Sequence, residues 1–294
     1  MKRLLLIINP KAGQGGFRAA LGKICEVFAA GGYRQELAFT TCPGDGARIA
    51  REFGADFDLV VCIGGDGTLG EVVSGLMAFE TRPPLGYIPL GTTNDMARTL
   101  CLPRNPQKAA KHIMEGRPRA LDIGAYGDEG YFAYVAAFGA FTEVSFETQQ
   151  DLKRSLGRLA YFLGAMQYLP RIRAFKSRVE VDGTVVEGDL AFGAVTNSFS
   201  VAGVLKLDAK LVDLKDGLFE VMLIKCPDSP AELQRICSGL LTRNYKSPYV
   251  TFLSGKTVRF QFDEPVPWTR DGEDGGMHQE LTLRNIPSAI QIWG

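Results

Sequence analysis

The apolar positions of the first 120 residues form short runs that alternate with longer amphipathic segments. The apolar runs predict strands at Leu4–Ile8, Glu36–Thr40, Asp58–Ile63 and Leu85–Leu90. The amphipathic segments predict helices at Phe17–Ala30, Gly46–Phe53, Leu69–Phe79, Asp95–Leu100 and Pro106–Glu115. Such alternation is typical of an α/β domain, in which parallel strands are joined by right-handed crossovers and helices cover both faces of the sheet.

Beyond residue 117 the pattern changes to many short runs that read as strands. They lie at Leu121–Tyr126, Tyr131–Phe138, Ser177–Val181, Thr184–Glu187, Leu190–Thr196, Gly217–Lys225, Val250–Leu253, Thr257–Phe262, Glu280–Leu283 and Ala289–Trp293. Two helices are predicted among them, at Leu152–Tyr168 and Ser229–Leu241. The pair Asp182-Gly183 is a hairpin turn signal. The sequence therefore predicts an α/β domain over residues 1–120 and a mostly antiparallel β-sandwich over residues 121–294.

Composition and charge narrow the class of protein. Of 294 residues, 46% are hydrophobic and 22% are charged, which is a globular balance and excludes a disordered or collagen-like chain. Lys plus Arg and Asp plus Glu number 33 each, so the net charge is zero and gives no general attraction to nucleic acid. The 34 glycines exceed the usual share of roughly 7%. An excess of glycine indicates function only if the glycines lie where the backbone has to approach a ligand closely.

Several features indicate a protein of the cytoplasm. The six cysteines include no C-x-x-C pair and several lie in apolar runs, which predicts reduced, buried thiols without a metal or redox role. The apolar run near the start ends at Asn9-Pro10 and is too short for the h-region of a signal peptide. No apolar stretch reaches the roughly 18–20 residues of a membrane span.

Three loops at the carboxyl ends of predicted strands carry the candidate chemistry. They are Asn9–Gly16, Gly64–Thr68 and Gly91–Asp95, and each precedes a predicted helix. Ligands of open α/β sheets bind beyond the carboxyl ends of the strands. Glycines let phosphate oxygens approach backbone N–H groups at a helix N-terminus, and Asp66 can hold Mg²⁺ or orient a nucleotide. Together the loops predict one nucleotide cleft.

Each loop also has a purely structural or rival interpretation. The first can be a flexible connection, Thr68-Leu69-Gly70-Glu71 fits a capping box, and Asn94 or Asp95 can be an N-cap. Residues 65–70 also fit the G-x-G-x-x-G dinucleotide fingerprint. That fingerprint expects an acidic residue at the end of the next strand, where this sequence has glycine and threonine, so hydride transfer is disfavoured.

The three loops together resemble a known family. Asn9-Pro10 with its glycine-rich loop, then Gly64-Gly65-Asp66-Gly67-Thr68, then Pro89-Leu90-Gly91-Thr92-Thr93-Asn94-Asp95 is similar in order and spacing to the diacylglycerol kinase catalytic family. This family includes soluble bacterial lipid kinases and, more remotely, sphingosine and ceramide kinases. The resemblance extends over essentially the whole chain.

The resemblance implies an ATP-binding domain related to phosphofructokinases and NAD kinases, followed by a β-sandwich, with the active site between the two. The implied nucleotide contacts are Asn9, Lys11, Thr40, Gly65, Asp66, Gly67, Thr68, Glu71, Thr92 and Asn94. The implied active-site acids are Asp66, Asp95, Asp122, Asp271 and Glu273. Among these, Glu273 is implied as the base that takes the proton of the lipid hydroxyl. A second acidic turn, Asp274-Gly275-Gly276, leaves open which carboxylate faces the substrate.

A loop in the second domain resembles the structural magnesium site of the family. By that likeness Asp213, Asp216 and the main-chain oxygen of Leu218 are ligands of Mg²⁺. A hard dication prefers carboxylate and carbonyl oxygens from a short turn, completed by water. The alternative is an ordinary Asp-Gly turn between strands.

A basic, apolar stretch suggests how such an enzyme would reach a lipid. Residues 152–163 mix cations with apolar groups, and Arg171, Arg173, Lys176 and Arg178 follow. A segment of this kind can lie on an anionic membrane surface, although a solvated helix packed on the sandwich would have the same composition.

The sequence therefore predicts a cytoplasmic lipid kinase that uses ATP and Mg²⁺ and acts peripherally at the membrane. Diacylglycerol is the expected acceptor, giving phosphatidic acid. Phosphatidylglycerol, a sphingoid base, NAD phosphorylation and a non-catalytic nucleotide or lipid sensor are the alternatives. The resemblance also suggests a homodimer.

Overall fold

The computed structural model of the chain describes residues 1–15, 17–128, 130–139, 172–201, 205–206, 212–242 and 247–293. Within these residues a sheet of thirteen strands continues from the first half of the chain into the second. The predicted basic helix Leu152–Tyr168 lies outside the described residues. No helix in the described ranges is long and apolar enough to cross a membrane.

The first half has the predicted α/β order. Its strands are β1 (Lys2–Ile8), β2 (Tyr33–Phe39), β3 (Leu59–Gly64) and β4 (Leu85–Pro89). Its helices are α1 (Phe17–Ala30), α2 (Asp45–Phe53), α3 (Asp66–Leu76), α4 (Asp95–Thr99) and α5 (Pro106–Glu115). The strands are parallel in the order β4-β3-β1-β2, which confirms the predicted fold class of this half.

Burial on both faces explains why these strands are continuously apolar. Along β1, Leu4 and Leu6 point into a core that also contains Ile24 of α1 and Ile113 of α5. Leu5 and Ile7 point into a second core, which includes side chains of α2 and α3. Successive side chains of a strand alternate between faces, so a strand covered by helices on both sides needs apolar residues throughout.

The second half is the predicted antiparallel β region. Its strands are β5 (Pro118–Tyr126), β6 (Gly130–Phe132), β7 (Val135–Gly139), β8 (Phe175–Val181), β9 (Thr184–Thr196), β10 (Ser200–Val201), β11 (Leu205–Lys206), β12 (Phe219–Lys225), β13 (Val250–Gly255), β14 (Thr257–Arg270) and β15 (Glu273–Trp293). Its described helix is α6 (Pro230–Thr242). Aromatic rings fill its core, with Phe138 in contact with Phe260, Phe262 and Trp268.

Several predicted strand boundaries in this half are wrong. The runs 184–187 and 190–196 are one strand, β9, and the runs 280–283 and 289–293 both belong to β15. Conversely, the predicted strand Tyr131–Phe138 is divided between β6 and β7. In each case the pairing of neighbouring strands, rather than local composition, sets the boundary.

Strand β15 joins the two halves. Over its 21 residues it pairs antiparallel with β14 and β5, with an irregularity between Ile286 and Ile290. At its end Ile292 and Trp293 pair in parallel with Leu85 and Gly86 of β4. The strand that begins at Glu273 therefore also completes the sheet of the first half.

No disulfide links the cysteines of the described ranges, and burial differs among them. Cys62 and Cys237 are buried, whereas Cys42 and Cys101 are exposed.

Candidate active site

The three glycine-rich loops meet at one edge of the sheet, as the sequence predicts. The Asn9 side-chain amide donates a hydrogen bond of 3.0 Å to the hydroxyl of Thr68. A methyl group added at Gly91 would lie 2.6 Å from Cα of Gly65, so these backbones touch. One added at Gly13, whose φ is +60°, would collide with the carbonyl oxygen of Leu90. Glycine at these positions therefore allows the loops to approach one another.

Glu71 connects the loop before α2, and the first turn of that helix, to this edge of the sheet. Its two carboxylate oxygens accept hydrogen bonds from the backbone N–H groups of Gly44 and Gly46, at 2.7 and 2.9 Å. The capping-box interpretation is therefore wrong, because α3 begins at Asp66 and Glu71 binds a distant loop. This contact fixes the segment that follows Thr40, a buried residue directly after β2.

Two of the proposed nucleotide contacts lie at the exposed rim. Lys11 and Thr92 are exposed, and the backbone N–H of Lys11 donates to Oδ1 of Asn9 at 3.0 Å. Both side chains are therefore available to a ligand that covers the loops.

Asp66 connects the second loop to the third. Its carboxylate accepts backbone N–H groups of Asp95 and Met96, at 2.8 and 3.1 Å, and so covers the start of α4. Asn94 occupies the N-cap position of α4, as one alternative predicted, but its side chain makes no capping hydrogen bond. Its amide instead donates to the carbonyl of Gly91 at 2.5 Å. Asp95 is buried and forms an ion pair with Arg98 at 3.2 Å.

The turn between β14 and β15 brings carboxylates from the second half to the same edge. Asp271 is buried, and it accepts backbone N–H groups of Ala133, Tyr134 and Val135 at 2.6, 3.0 and 3.1 Å. A methyl group added at Gly70 of α3 would lie 2.7 Å from Oδ2 of Asp271. The buried carboxylate is thus packed directly against the first half.

Glu273 is the carboxylate of this turn that faces the glycine-rich loop. Its side chain is exposed, and a methyl group added at Gly67 would lie 2.6 Å from its Oε1. Asp274 instead bonds within its own turn, through the N–H of Gly276 at 2.9 Å. The geometry therefore distinguishes the three carboxylates, among which the sequence alone does not show which one faces the substrate. Asp271 is enclosed, Asp274 is turned onto its own backbone, and Glu273 reaches the first half.

Burial shapes the electrostatics of the site. It raises the pKa of Asp66 to about 6 and that of Asp271 to about 6, against the opposing effect of their hydrogen bonds. The negative charge of Asp66 adds to the increase at Asp271. Two carboxyl groups from different halves of the chain therefore have pKa values raised well above their usual range, and such perturbed values are common at functional sites.

The raised pKa of Asp271 predicts a pH-dependent contribution to folding. A carboxyl group whose pKa is higher in the folded state stabilises the fold below its unfolded pKa, and this contribution is lost as pH rises through the folded value. The pKa of Asp271 shifts from 3.8 to about 6 on folding. As the pH rises from about 4 to 7, the free energy of unfolding of the wild type should therefore fall by up to about 3 kcal/mol relative to that of Asp271→Asn. Urea unfolding of both proteins at several pH values measures the difference. A difference that is constant across this range contradicts the prediction.

Asp122 lies with the proposed magnesium loop. Its carboxylate accepts backbone N–H groups of Gly217 and Ser288, at 2.7 and 2.6 Å, and its own N–H donates to the carbonyl of Leu214. The structure therefore groups Asp66, Asp95, Asp271 and Glu273 at the loop edge and holds Asp122 against the 213–218 turn.

The proposed magnesium turn is closed by its own hydrogen bonds. Oδ1 of Asp213 accepts the N–H of Lys215 at 3.3 Å, and Oδ1 of Asp216 accepts the N–H of Leu218 at 2.9 Å. The carbonyl of Leu218 accepts a hydrogen bond of 3.0 Å from the amide of Asn285. Within the described ranges, no three His, Cys, Asp or Glu side chains lie close enough to hold a metal by themselves. A cation here would therefore need main-chain oxygen and water besides carboxylates.

Sequence reasoning missed Glu220, a buried acid beside this turn. Its Oε2 has no hydrogen-bond partner. Burial, followed by the negative charges of Asp216 and Asp213, raises its pKa to about 8. The available signal was a glutamate inside the apolar strand β12.

Profile comparisons identify the class of protein that carries this site. The profile described as the diacylglycerol kinase catalytic domain matches residues 3–126. The profile described as the YegS C-terminal NAD kinase beta sandwich-like domain matches residues 136–294. The protein is thus a two-domain kinase with a β-sandwich second domain.

The chain belongs to the diacylglycerol kinase family. It is 36% identical to the diacylglycerol kinase of Bacillus subtilis over 94% of this chain and 91% of that protein. It is 35% identical to the diacylglycerol kinase of Staphylococcus carnosus over 99% and 95% of the two chains. A crystal structure of a diacylglycerol kinase from Bacillus anthracis matches with a TM-score of 0.82 and 27% identity, covering 99% of this chain and 96% of that one. These matches confirm the resemblance and the predicted two-domain fold.

Proposed function

We propose that this kinase transfers the γ-phosphate of ATP to the hydroxyl of a membrane lipid, and that diacylglycerol is the acceptor, giving phosphatidic acid. The observation that carries the proposal is the contact of Glu273 with the backbone of Gly67. It brings an exposed carboxylate of the second domain to the loop that would hold the transferring phosphate. The names of the related proteins support diacylglycerol as the acceptor.

The first domain would bind and align the nucleotide. Its glycine-rich loops and the N-terminus of α3 present backbone N–H groups, which favour phosphate oxygens. Asp66 fixes two of these loops relative to each other through the N–H groups of Asp95 and Met96. Phosphoryl transfer depends mainly on such alignment and on compensation of charge.

The second domain would supply the base. As the acceptor oxygen forms its bond to the γ-phosphorus, the bond from phosphorus to the bridging oxygen of ADP breaks. The hydroxyl proton passes to the carboxylate of Glu273. General-base assistance of this kind typically contributes 10²–10⁴-fold to the rate. Asp271, which is enclosed by three backbone N–H groups, acts as a positioning residue for this turn.

The residues around the 213–218 turn fit the proposed Mg²⁺. Glu220 places a buried oxygen without a hydrogen-bond partner beside a turn that carries two carboxylates, and a cation bound there would be close to all three groups. Asp213, Asp216 and the main-chain oxygen of Leu218 would hold the ion. When bound, it would neutralise these carboxylates and stabilise the turn that contacts Asp122.

Substitution of Asp216 tests this site. Asp216→Ala should lose most of the rise in Tm that added Mg²⁺ gives to wild type, because a ligand that binds only the folded state stabilises it by about 2.7 kcal/mol at 100 times its Kd. Asp228→Ala, which removes an exposed carboxylate elsewhere, is the matched control. Thermal unfolding with and without MgCl₂ measures the effect. An unchanged Mg²⁺ response in Asp216→Ala rules out the site.

We also propose that the enzyme works at the membrane surface, because its lipid acceptor resides there. In the basic stretch 171–178, the three cations that the structure describes are each paired with a carboxylate. Arg173 pairs with Glu264 at 2.5 Å, Lys176 pairs with Asp263 at 3.3 Å, and Arg178 pairs with Glu187. Because these charges are already paired, residues 173–178 offer little net positive charge to an anionic membrane. The proposal of membrane association therefore rests on the lipid nature of the acceptor.

A phosphate-transfer assay tests the proposed function. Labelled ATP and Mg²⁺ would be supplied with diacylglycerol, phosphatidylglycerol, ceramide or sphingosine in mixed micelles, and with NAD in solution. Labelled phosphatidic acid from wild type is the expected result. Product from another lipid would reassign the acceptor, and labelled NADP would make the protein an NAD kinase. Nucleotide binding without any product would indicate a sensor.

A further inference from the structure

Tyr134 carries a phenol that the mechanism above does not use. The residue is only 5% exposed. Its described hydrogen bonds involve its backbone, and within the described ranges its hydroxyl has no protein partner. The hydroxyl oxygen is not one of the enclosed polar atoms that lack a partner, so it retains access to solvent although the ring is buried. A hydroxyl in this position is free to donate to an acceptor on a bound ligand.

The backbone of Tyr134 is held from both sides. Its N–H donates to Oδ1 of Asp271 at 3.0 Å. Its carbonyl accepts the hydroxyl of Thr196 at 2.7 Å and the N–H of Asn197 at 3.0 Å. The phenol therefore projects from a fixed position, as a preorganised hydrogen-bond donor does.

The ring lies between the acidic groups of the two domains. Burial, followed by the negative charges of Asp66, Asp271, Asp95 and Glu273, raises the pKa of Tyr134 well above its usual value. A methyl group added at Gly272, in the turn that carries Glu273, would lie 3.7 Å from the hydroxyl oxygen. The hydroxyl thus keeps its proton and sits where the nucleotide loops meet the turn that carries the base.

A neutral donor suits one ligand chemistry in this setting. The carboxylates around Tyr134 repel an incoming phosphate, so the phosphate oxygens need donors that carry no negative charge. We propose that the Tyr134 hydroxyl donates a hydrogen bond to an oxygen of the γ-phosphate of the bound nucleotide, which makes Tyr134 a catalytic residue. The proposal rests on the nucleotide-dependent phosphate transfer proposed above.

The test compares two nucleotides in Tyr134→Phe. With Mg²⁺ present, the affinity for adenylyl imidodiphosphate, which has a γ-phosphate that is not transferred, should fall about 10-fold. The affinity for ADP, which lacks the γ-phosphate, should stay unchanged. Turnover should fall about 10–100-fold while Tm does not fall. Tyr249→Phe, which removes a hydroxyl that accepts a hydrogen bond from Arg235, is the matched control.

The comparison separates this proposal from the proposed function. Unchanged affinity for both nucleotides, or an equal loss for both, overturns the role of Tyr134. If wild type transfers phosphate to no acceptor, the proposed function fails. In that case a selective loss of adenylyl imidodiphosphate affinity in Tyr134→Phe would still establish the contact.

Discussion

Replacement of Glu273 by glutamine is expected to lower the rate of lipid phosphorylation at least about 100-fold, because the amide cannot accept the hydroxyl proton. The Glu273 side chain is exposed, so the substitution leaves no buried group unsatisfied and Tm should change little. Initial rates at saturating ATP and lipid, together with thermal unfolding, measure both quantities. A loss of rate without a loss of stability would identify a chemical role.

Asp274→Asn is the matched control for this experiment. Asp274 is exposed and stands next to Glu273, and its Oδ1 bonds to the N–H of Gly276. Asparagine retains that oxygen, so activity should be close to that of wild type. If instead Asp274→Asn is inactive and Glu273→Gln is active, the base has been assigned to the wrong carboxylate.

Gly70→Ala is expected to lower activity about 100-fold and to destabilise the protein by about 1–3 kcal/mol. The added methyl group would lie 2.7 Å from Oδ2 of Asp271, closer than real side-chain carbons approach an oxygen. Asp271 cannot move aside without leaving the backbone N–H groups that surround it. Helix α3 must shift instead, and the Gly67 backbone would then move relative to Glu273. Kinetic assays and urea unfolding measure the two losses.

Gly22→Ala provides the contrasting control. Gly22 also lies inside a helix, α1, and a methyl group there would meet no atom within 4 Å. Alanine is the better helix former by about 0.8–1.0 kcal/mol, so this variant should be more stable and fully active. Equal behaviour of the two variants would show that the contact between α3 and Asp271 has no special importance.

The fold of the first half can be predicted from the sequence because the patterns that indicate its helices and strands lie within short segments of the chain. Helix α5 has the predicted boundaries, Pro106–Glu115, and Asn105 caps it through the N–H of Lys108. The apolar runs of β1 and β3 reflect burial on both faces of a parallel sheet. A window of a dozen residues contains all of this information.

Boundaries in the second half depend on partners far away in the chain. Polar residues around Gly188 suggest a break in β9, yet the strand continues because Gly188 pairs with Ser177 of β8. Similarly, residues 284–288 interrupt the apolar pattern of β15, where Asn285 and Ile286 pair with β5. Local composition cannot report such pairing, since it is determined by the neighbouring strand.

The candidate site was predictable by residue type but not by role. The sequence predicts the glycine-rich loops from their pattern and the acids Asp271 and Glu273 from the family resemblance, and the structure brings them together. The N–H groups that hold Asp271 come from Ala133, Tyr134 and Val135, more than a hundred positions earlier in the chain. Nothing in the sequence links these positions, so neither the enclosure of Asp271 nor the buried phenol of Tyr134 could be anticipated.

The parallel pairing of β15 with β4 has a consequence for how the chain folds. Leu85 and Ile292 are neighbours in the sheet although roughly 200 positions separate them. While the polypeptide is being synthesised, one edge of the apolar strand β4 stays unpaired until residues 292 and 293 have emerged from the ribosome. Open strand edges invite pairing with other chains. We therefore expect the newly made first domain to depend on chaperones, and its solubility during expression to depend on how quickly β15 docks.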